Sequence, residues 1–462
     1  MRSSSSILVA LAISVPLALA GCGDDDGTGP GTDAGGGDAA VDAGAARDAG
    51  ADAGRDAGER LDAGPSCTTG CDIVQVVAGF QHTCVRRMNG AVLCWGRNYD
   101  GELGDDTMSH TDCNMAIGGE YRDCAPLPVT VVMLTDADNI SSHGGRTTCA
   151  HRTGGEVVCW GLEEVLRSGL TMQTKRFSPL SRAELMDATI LAAGDSHTCG
   201  VTAGSIECLG DNQSGEVGDG TFLRRPDPVA VAMPTDVAEI ETSPHMGAST
   251  CARSGGQVYC WGANDARQLG DGATTTHTTC VSGPSRYDCS NVAVQVAGIT
   301  DATDIAVGAS HACAVLATHH VVCWGANNYG QLGTGDMLDH PDPTEVAGLT
   351  TAVEVAAGAT HTCARNMDGS VVCWGSNRRG ELGDDMMEGH TSCTLGGTTQ
   401  DCSRSPVTVS GLTGATQLAA GLKHTCALTT AGEVFCWGYN ENKQIGNGVI
   451  ADAFAPVRVM GL

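Results

Sequence analysis

The sequence predicts an all-β protein built from seven tandem repeats and preceded by an unstructured leader. Three observations carry this reading. One segment ending in Cys-Trp-Gly or Cys-Leu-Gly recurs seven times, the recurring segments are short apolar runs broken by Gly and Asn turns, and the first 66 residues have neither feature. The balance of 54 acidic against 26 basic residues, a formal charge of −28, argues against nucleic acid as a partner, because such a chain repels phosphate backbones.

Residues 1–21 read as a targeting segment. Arg2 supplies a positive start and Ile7 to Ala20 form a 14-residue apolar run, too short for a permanent membrane span. The ending Leu19-Ala20-Gly21-Cys22 resembles the lipobox of bacterial lipoproteins. That resemblance implies that Cys22 becomes the mature N-terminus and carries palmitate-type acyl chains. They would anchor an exported protein to the bacterial cell envelope, with the outer membrane favoured over the inner. Cysteine parity agrees: the chain has 23 Cys, and acylation of Cys22 leaves an even set to pair. A disulfide framework of that size belongs to an oxidising compartment.

Residues 22–66 read as a linker. Gly23 to Ser66 is a run of Asp-Ala-Gly units with 11 acidic and 3 basic side chains and almost no large apolar residue, so it cannot bury enough surface to offset the entropy of ordering. As a coil it reaches about 35–40 Å.

Residues 67–462 read as the folded unit. The repeats end at Gly96, Gly161, Gly210, Gly262, Gly325, Gly375 and Gly438, and all six Trp (Trp95, Trp160, Trp261, Trp324, Trp374, Trp437) stand at one repeat position, with Leu209 in the seventh. Copies two, three and five span 50 to 52 residues, whereas copies one, four and six are longer by about a dozen and each carries an extra Cys pair. Within a repeat, Cys84-Val85-Arg86 and Val92-Leu93-Cys94 flank the turn Met88-Asn89-Gly90. Counting outward from Asn89 sets Cys84 opposite Cys94, where a non-hydrogen-bonded pair brings Cα atoms to about 4.5 Å. The same count pairs Cys149 with Cys159, Cys313 with Cys323, Cys363 with Cys373, and Cys426 with Cys436; copies three and four shorten the turn by one residue, so Cys199 pairs with Cys208 and Cys251 with Cys260. Each bridge contributes about 2–3 kcal/mol in the chain-entropy model. Cys67 and Cys71 pair by elimination.

The pattern ΦxxGxxHTCAΦxxxGxVxCWGxNxxGQLGxG resembles the repeat of the regulator of chromosome condensation family over about 395 residues, and the β-lactamase-inhibitory protein of the second type is similar in fold. The resemblance implies a seven-bladed β-propeller. Copy two departs most, reading LEEVLRSGL where the Asn and Gln-Leu-Gly turn should stand. The C-terminal Ala455-Pro456-Val457-Arg458-Val459 is expected to complete the first blade and so close the ring.

Five copies place His two residues before the first Cys: His82, His197, His311, His361 and His424. Thr147 and Ser249 replace it in the others, which points to a local hydrogen bond to backbone rather than metal ligation. The three insertions are lobes closed by Cys113 with Cys124, Cys280 with Cys289, and Cys393 with Cys402. Each carries one His and one Asp, which is too few ligands for a metal site, and turn-stabilising hydrogen bonds are expected. Asp105, Asp219, Asp271 and Asp384 follow the Leu-Gly or Val-Gly turn, where Asp commonly satisfies backbone donors. No nucleophile, acid–base pair, phosphate loop or metal motif stands outside the repeat, so no cofactor and no catalysis are expected.

The function expected is a binding scaffold for a protein or polysaccharide at the cell envelope, with His110, Tyr121, His277, Tyr287 and His390 of the lobes as contact candidates. A GTPase partner is set aside because the chain is exported and has no basic tail. The alternatives are an enzyme inhibitor, or a lyase or hydrolase using His143, Arg146 and His151 of copy two.

Overall fold

The computed structural model describes residues 72–113, 122–167, 170–244, 247–272, 277–282, 285–395 and 398–462. Cys22, Cys67, Cys71 and Tyr121 lie outside these residues. Seven antiparallel sheets follow one another along the chain, and the order of strands inside each is simple: inner, second, third, outer. In blade 5 these are Ala302–Val307, His311–Leu316, Val321–Gly325 and His340–Glu345. The seven-bladed propeller expected from the repeats is what the chain forms.

The hairpin register is the one counted from the turn. Cys84 lies opposite Cys94 and Cys313 opposite Cys323, and all seven hairpin disulfides are present with Cα–Cα distances of 4.0 to 4.1 Å. The three lobe disulfides also form, at 5.8 to 5.9 Å. They run diagonally: Cys280 faces Tyr287 and Cys289 faces Thr278.

One expectation is overturned. The C-terminal strand Ala453–Arg458 does not complete the first blade; it is the outer strand of the seventh, with Val457 opposite Cys436. Every Pro-containing segment likewise pairs with the third strand of its own hairpin, as Val129 does with Cys94. The physical reason is local. A segment that follows the third strand after a short connection pairs with it antiparallel without a crossing, and prolines are tolerated there because the outermost strand has a free side.

Ring closure is therefore made by packing rather than by a shared strand. The hydrophobic layers lie between blades: Cys313, Val315 and Leu332 of blade 5 pack with Ala352, Val355 and Trp374 of blade 6. Ile73, Val76 and Trp95 of blade 1 pack in one layer with Leu418, Cys426 and Ile445 of blade 7. All six Trp are buried to within 1%.

Candidate binding face

Antiparallel order puts the connection from inner to second strand and the connection from third to outer strand at the same end of every blade. The lobes lie on third-to-outer connections, so all three project from one face, and in blades 1, 4 and 6 each adds a fifth strand beside the outer one. A fourth elaboration was not anticipated. In blade 2 the LEEVLR part of the aberrant stretch continues the third strand, so that Val157–Arg167 and Leu170–Ser181 form a long arm paired from Val158↔Ser181 to Arg167↔Leu170.

The repeated polar residues belong to contacts between blades. His424 Nε2 of blade 7 meets Thr83 Oγ1 of blade 1 at 3.0 Å, and Thr83 in turn donates to the Gln444 carbonyl at 3.0 Å. The Thr hydrogen is thereby used, so the imidazole must donate from Nε2. The same pair forms between His82 and Thr148, His197 and Thr250, His311 and Thr362, and His361 and Thr425, at 2.7 to 2.9 Å. The partner is thus a hydroxyl on the next blade, not local backbone. Burial pulls His82, His311 and His424 down to about 3 and His197 and His361 to about 4, which keeps them neutral. The ring lies against a glycine; a Cβ on Gly358 would come within van der Waals exclusion of His361 Cε1.

A second contact runs the other way. Each Trp donates its indole N–H to the Gln or Glu carbonyl in the turn of the preceding blade: Trp95 to Gln444, Trp160 to Glu102, Trp261 to Glu216, Trp324 to Gln268, Trp374 to Gln331 and Trp437 to Glu381, at 2.8 to 3.0 Å. The turn's following glycine seats the indole, and Gly104 with φ +65° leaves no room for a Cβ against Trp160.

A third contact lines the central channel, a space of about 300 Å³ walled by the seven inner strands. Here a side-chain acceptor of every blade but the third caps an amide on the next inner strand: Gln417 takes Val76 N–H, Gln75 takes Ile140 N–H, Ser141 takes Ala193 N–H, Asp304 takes Val355 N–H and Glu354 takes Leu418 N–H, at 2.7 to 3.1 Å. Glu239 accepts from Ile305 in the same manner. Burial, with Glu241 close by, pushes Glu239 up to about 7, and burial with Glu239 close by holds Asp304 well above the usual carboxylate range. The channel carboxylates are therefore scaffold, and among the described residues no His, Cys, Asp and Glu cluster has a metal-binding arrangement.

The lobe histidines are clamped. His110 Nδ1 meets Asp123 at 2.9 Å and its Nε2 meets Asp105 at 2.7 Å; His390 sits between Asp401 and Asp384 at 2.7 Å each; His277 sits between Asp288 at 2.8 Å and Asp271 at 2.9 Å. Burial works against the charged imidazole, but the two carboxylates outweigh it and raise His110 and His390 above the ordinary value. Both nitrogens of each ring are engaged inside the chain, so these three residues latch the lobe to its blade. In blade 3, which has no lobe, Arg225 takes the place of the imidazole against Asp219. Tyr287 is half-buried and hydrogen-bonds Ser214 of the preceding blade at 2.8 Å.

His143, Arg146 and His151 are not assembled into one site. His143 pairs with Glu241 at 3.0 Å, Arg146 with Asp195 at 2.8 Å, and His151 with Asp138 at 2.5 Å.

Residues 120–462 match the model of the RCC1-like domain and residues 73–102 that of the regulator of chromosome condensation (RCC1) repeat. The ultraviolet-B receptor UVR8 of Arabidopsis thaliana is 28% identical over 401 residues, 84% of this chain and 70% of the receptor. The secretion-regulating guanine nucleotide exchange factor of Bos taurus is 27% identical over 296 residues, 58% of this chain and 59% of that protein. The E3 ubiquitin-protein ligase HERC2 of Homo sapiens matches at 26% over 59% of this chain, which spans 5% of the ligase. Among solved structures, human WBSCR16 superposes with a TM-score of 0.63 at 19% identity, covering 80% of this chain and 94% of that one. Prp20p of Saccharomyces cerevisiae, described with its binding properties to Gsp1p and histones, superposes at 0.61 and 18%, covering 85% and 88%. At such identities the superpositions speak for the fold.

Proposed function

Since the chain belongs to the RCC1-like domain family, we propose that it is a protein-binding scaffold that engages its partner with the face bearing the three lobes and the blade 2 arm. One observation carries this: the repeated polar residues are used between blades or along the channel, while all four elaborations leave the sheets at the same face. The relatives named above include a receptor, an exchange factor and a protein described with its binding properties to Gsp1p and histones, which supports a binding role. They give no support to excluding a GTPase, so a small GTPase belongs among the candidate partners beside envelope proteins and polysaccharide.

In this proposal the scaffold is exported and held to the cell envelope through lipid on Cys22. Ten disulfides support an oxidising compartment, since a reducing cytosol would not preserve them. The test replaces the lobes at 110–124, 277–289 and 390–402 with the short connection of blade 5 and repeats a pull-down from the envelope of the source cell. Loss of the captured partner is expected; capture at unchanged affinity by the lobe-less chain sinks the reading. Metabolic labelling with a palmitate analogue, lost in Cys22→Ala, tests the anchor.

A further inference from the structure

The outer strand of a blade has one edge turned away from the rest of its sheet, and in most blades proline blunts that edge. Each hairpin disulfide joins a non-hydrogen-bonded pair, so the third-strand Cys turns its own N–H and C=O toward the outer strand. The outer-strand residue that faces this Cys therefore bonds inward, and the residue before it presents its backbone away from the sheet. In six blades that outward residue is proline: Pro128, Pro179, Pro228, Pro343, Pro406 and Pro456, each directly before the partner of a hairpin Cys. Proline has no N–H to offer an incoming strand. In blade 4 the position holds Ala293, one residue before Val294, which faces Cys260.

Ala293 lies in the outer strand Ser285–Gln295. The fifth strand of blade 4, Thr278–Ser282, pairs with it only as far as Cys289, and the Gly220 amide of blade 3 takes the Asn291 carbonyl at 2.8 Å. Between these covers and the end of the strand the edge is open, and among the described residues nothing accepts the Ala293 or Gln295 N–H. Val292 is 43% exposed, and the turn at Gly220 beside it presents Phe222 and Leu223, the latter 64% exposed. No charged residue stands from Ser290 to Gly298. Both devices that keep sheet edges apart, proline and charge, are missing from this one strand.

We propose that this edge pairs with the same edge of a second copy of the chain, antiparallel about a two-fold axis at Val294. In that register Ala293 and Gln295 of one copy exchange backbone hydrogen bonds with Gln295 and Ala293 of the other. Four N–H···O=C bonds form from outward-facing groups, and Val294 meets its own counterpart. The occupant is a second copy because the segment is complementary to itself: a small, an apolar and a polar residue meet a polar, an apolar and a small one. Copies of a chain with a charge of −28 repel each other wherever acidic residues are opposed, and along this edge none are. The interface is separate from the face bearing the lobes and does not depend on what that face binds.

The experiment is sedimentation velocity on the chain from residue 22 onward, carrying Cys22→Ala so that no acyl group drives association. Concentrations run up to about 0.2 mM, because a short strand pair makes a small and weak interface. A concentration-dependent dimer is expected for the native edge and none for Ala293→Pro, which gives blade 4 the residue of the other six. Gln295→Glu, with its counterpart in Glu345 of blade 5, is expected to weaken association about threefold. Should Ala293→Pro fail to fold, Val294→Cys takes its place. Opposed residues of a non-hydrogen-bonded pair approach to about 4.5 Å, so oxidation is expected to link two copies of Val294→Cys but not of Val129→Cys, which stands behind Pro128. A monomer throughout the range, association unchanged in Ala293→Pro, or equal linking of the two Cys variants overturns the proposal. A monomeric native chain that loses a different protein on Ala293→Pro assigns the edge to that protein and overturns it too.

Discussion

His424 of the last blade and Thr83 of the first are joined at 3.0 Å, and Thr83 passes the bond on to the Gln444 carbonyl. Thr83→Val leaves a buried imidazole N–H without an acceptor. A loss of about 1–3 kcal/mol is expected in urea denaturation. Thr198→Val, at the equivalent position of blade 3, removes a hydroxyl that has no such partner among the described residues, because Thr147 stands where the histidine would and donates to the Leu162 carbonyl; it is expected to cost less than about 0.5 kcal/mol. Equal losses would show that the hydroxyl bond does not hold the closure.

The buried histidines make stability sensitive to acid. Their folded values, about 3 to 4, lie below the ordinary 6.5, so below pH 6.5 the unfolded chain takes up protons that the folded chain does not. Their contribution is full above 6.5 and declines as pH falls toward 4. His361→Asn keeps a neutral N–H donor and removes one titrating ring. The stability gap between native protein and variant is expected to shrink from pH 7.5 to pH 4.5; a constant gap contradicts the assignment.

The lobe latch has the opposite sign. His390 is raised by Asp401 and Asp384, so its contribution is fully present below the ordinary 6.5 and is lost as pH rises through the higher folded value. Hydrogen exchange at the His390 amide, which Asp401 Oδ1 accepts at 3.2 Å, is expected to lose protection across that rise after correction for intrinsic rate. Asp384→Asn should move the loss to lower pH.

The two classes of disulfide should differ in reach. Replacing Cys363 and Cys373 by Ala removes a buried bridge from the middle of a blade, at a cost of about 2–3 kcal/mol to global stability. Replacing Cys280 and Cys289 by Ala is expected to leave the melting temperature nearly unchanged and to raise exchange only within 277–289.

Much of this was legible in the sequence and some was not. The hairpin register followed from Met88-Asn89-Gly90, because a short turn fixes which residues face each other. The membership of the Pro-containing strands did not: Val129 and Val457 could be assigned to either neighbouring hairpin on sequence alone. The histidine partners were hidden because His82 and Thr148 are 66 residues apart and meet only once the ring has formed. The histidine–aspartate latches were half visible, since Asp105 and His110 stood out separately but nothing in their spacing joined them. Leu209 and LEEVLRSGL were each seen as departures, and only spatial adjacency of blades 2 and 3 shows that they are coupled.

Because each blade is made wholly of consecutive residues, with no strand lent across the closure, the ring has no privileged starting point. An in-frame duplication or deletion of one repeat would add or remove an entire sheet and leave every other hydrogen-bond ladder intact, disturbing only one set of clasps. Blade number in such an architecture is a heritable variable.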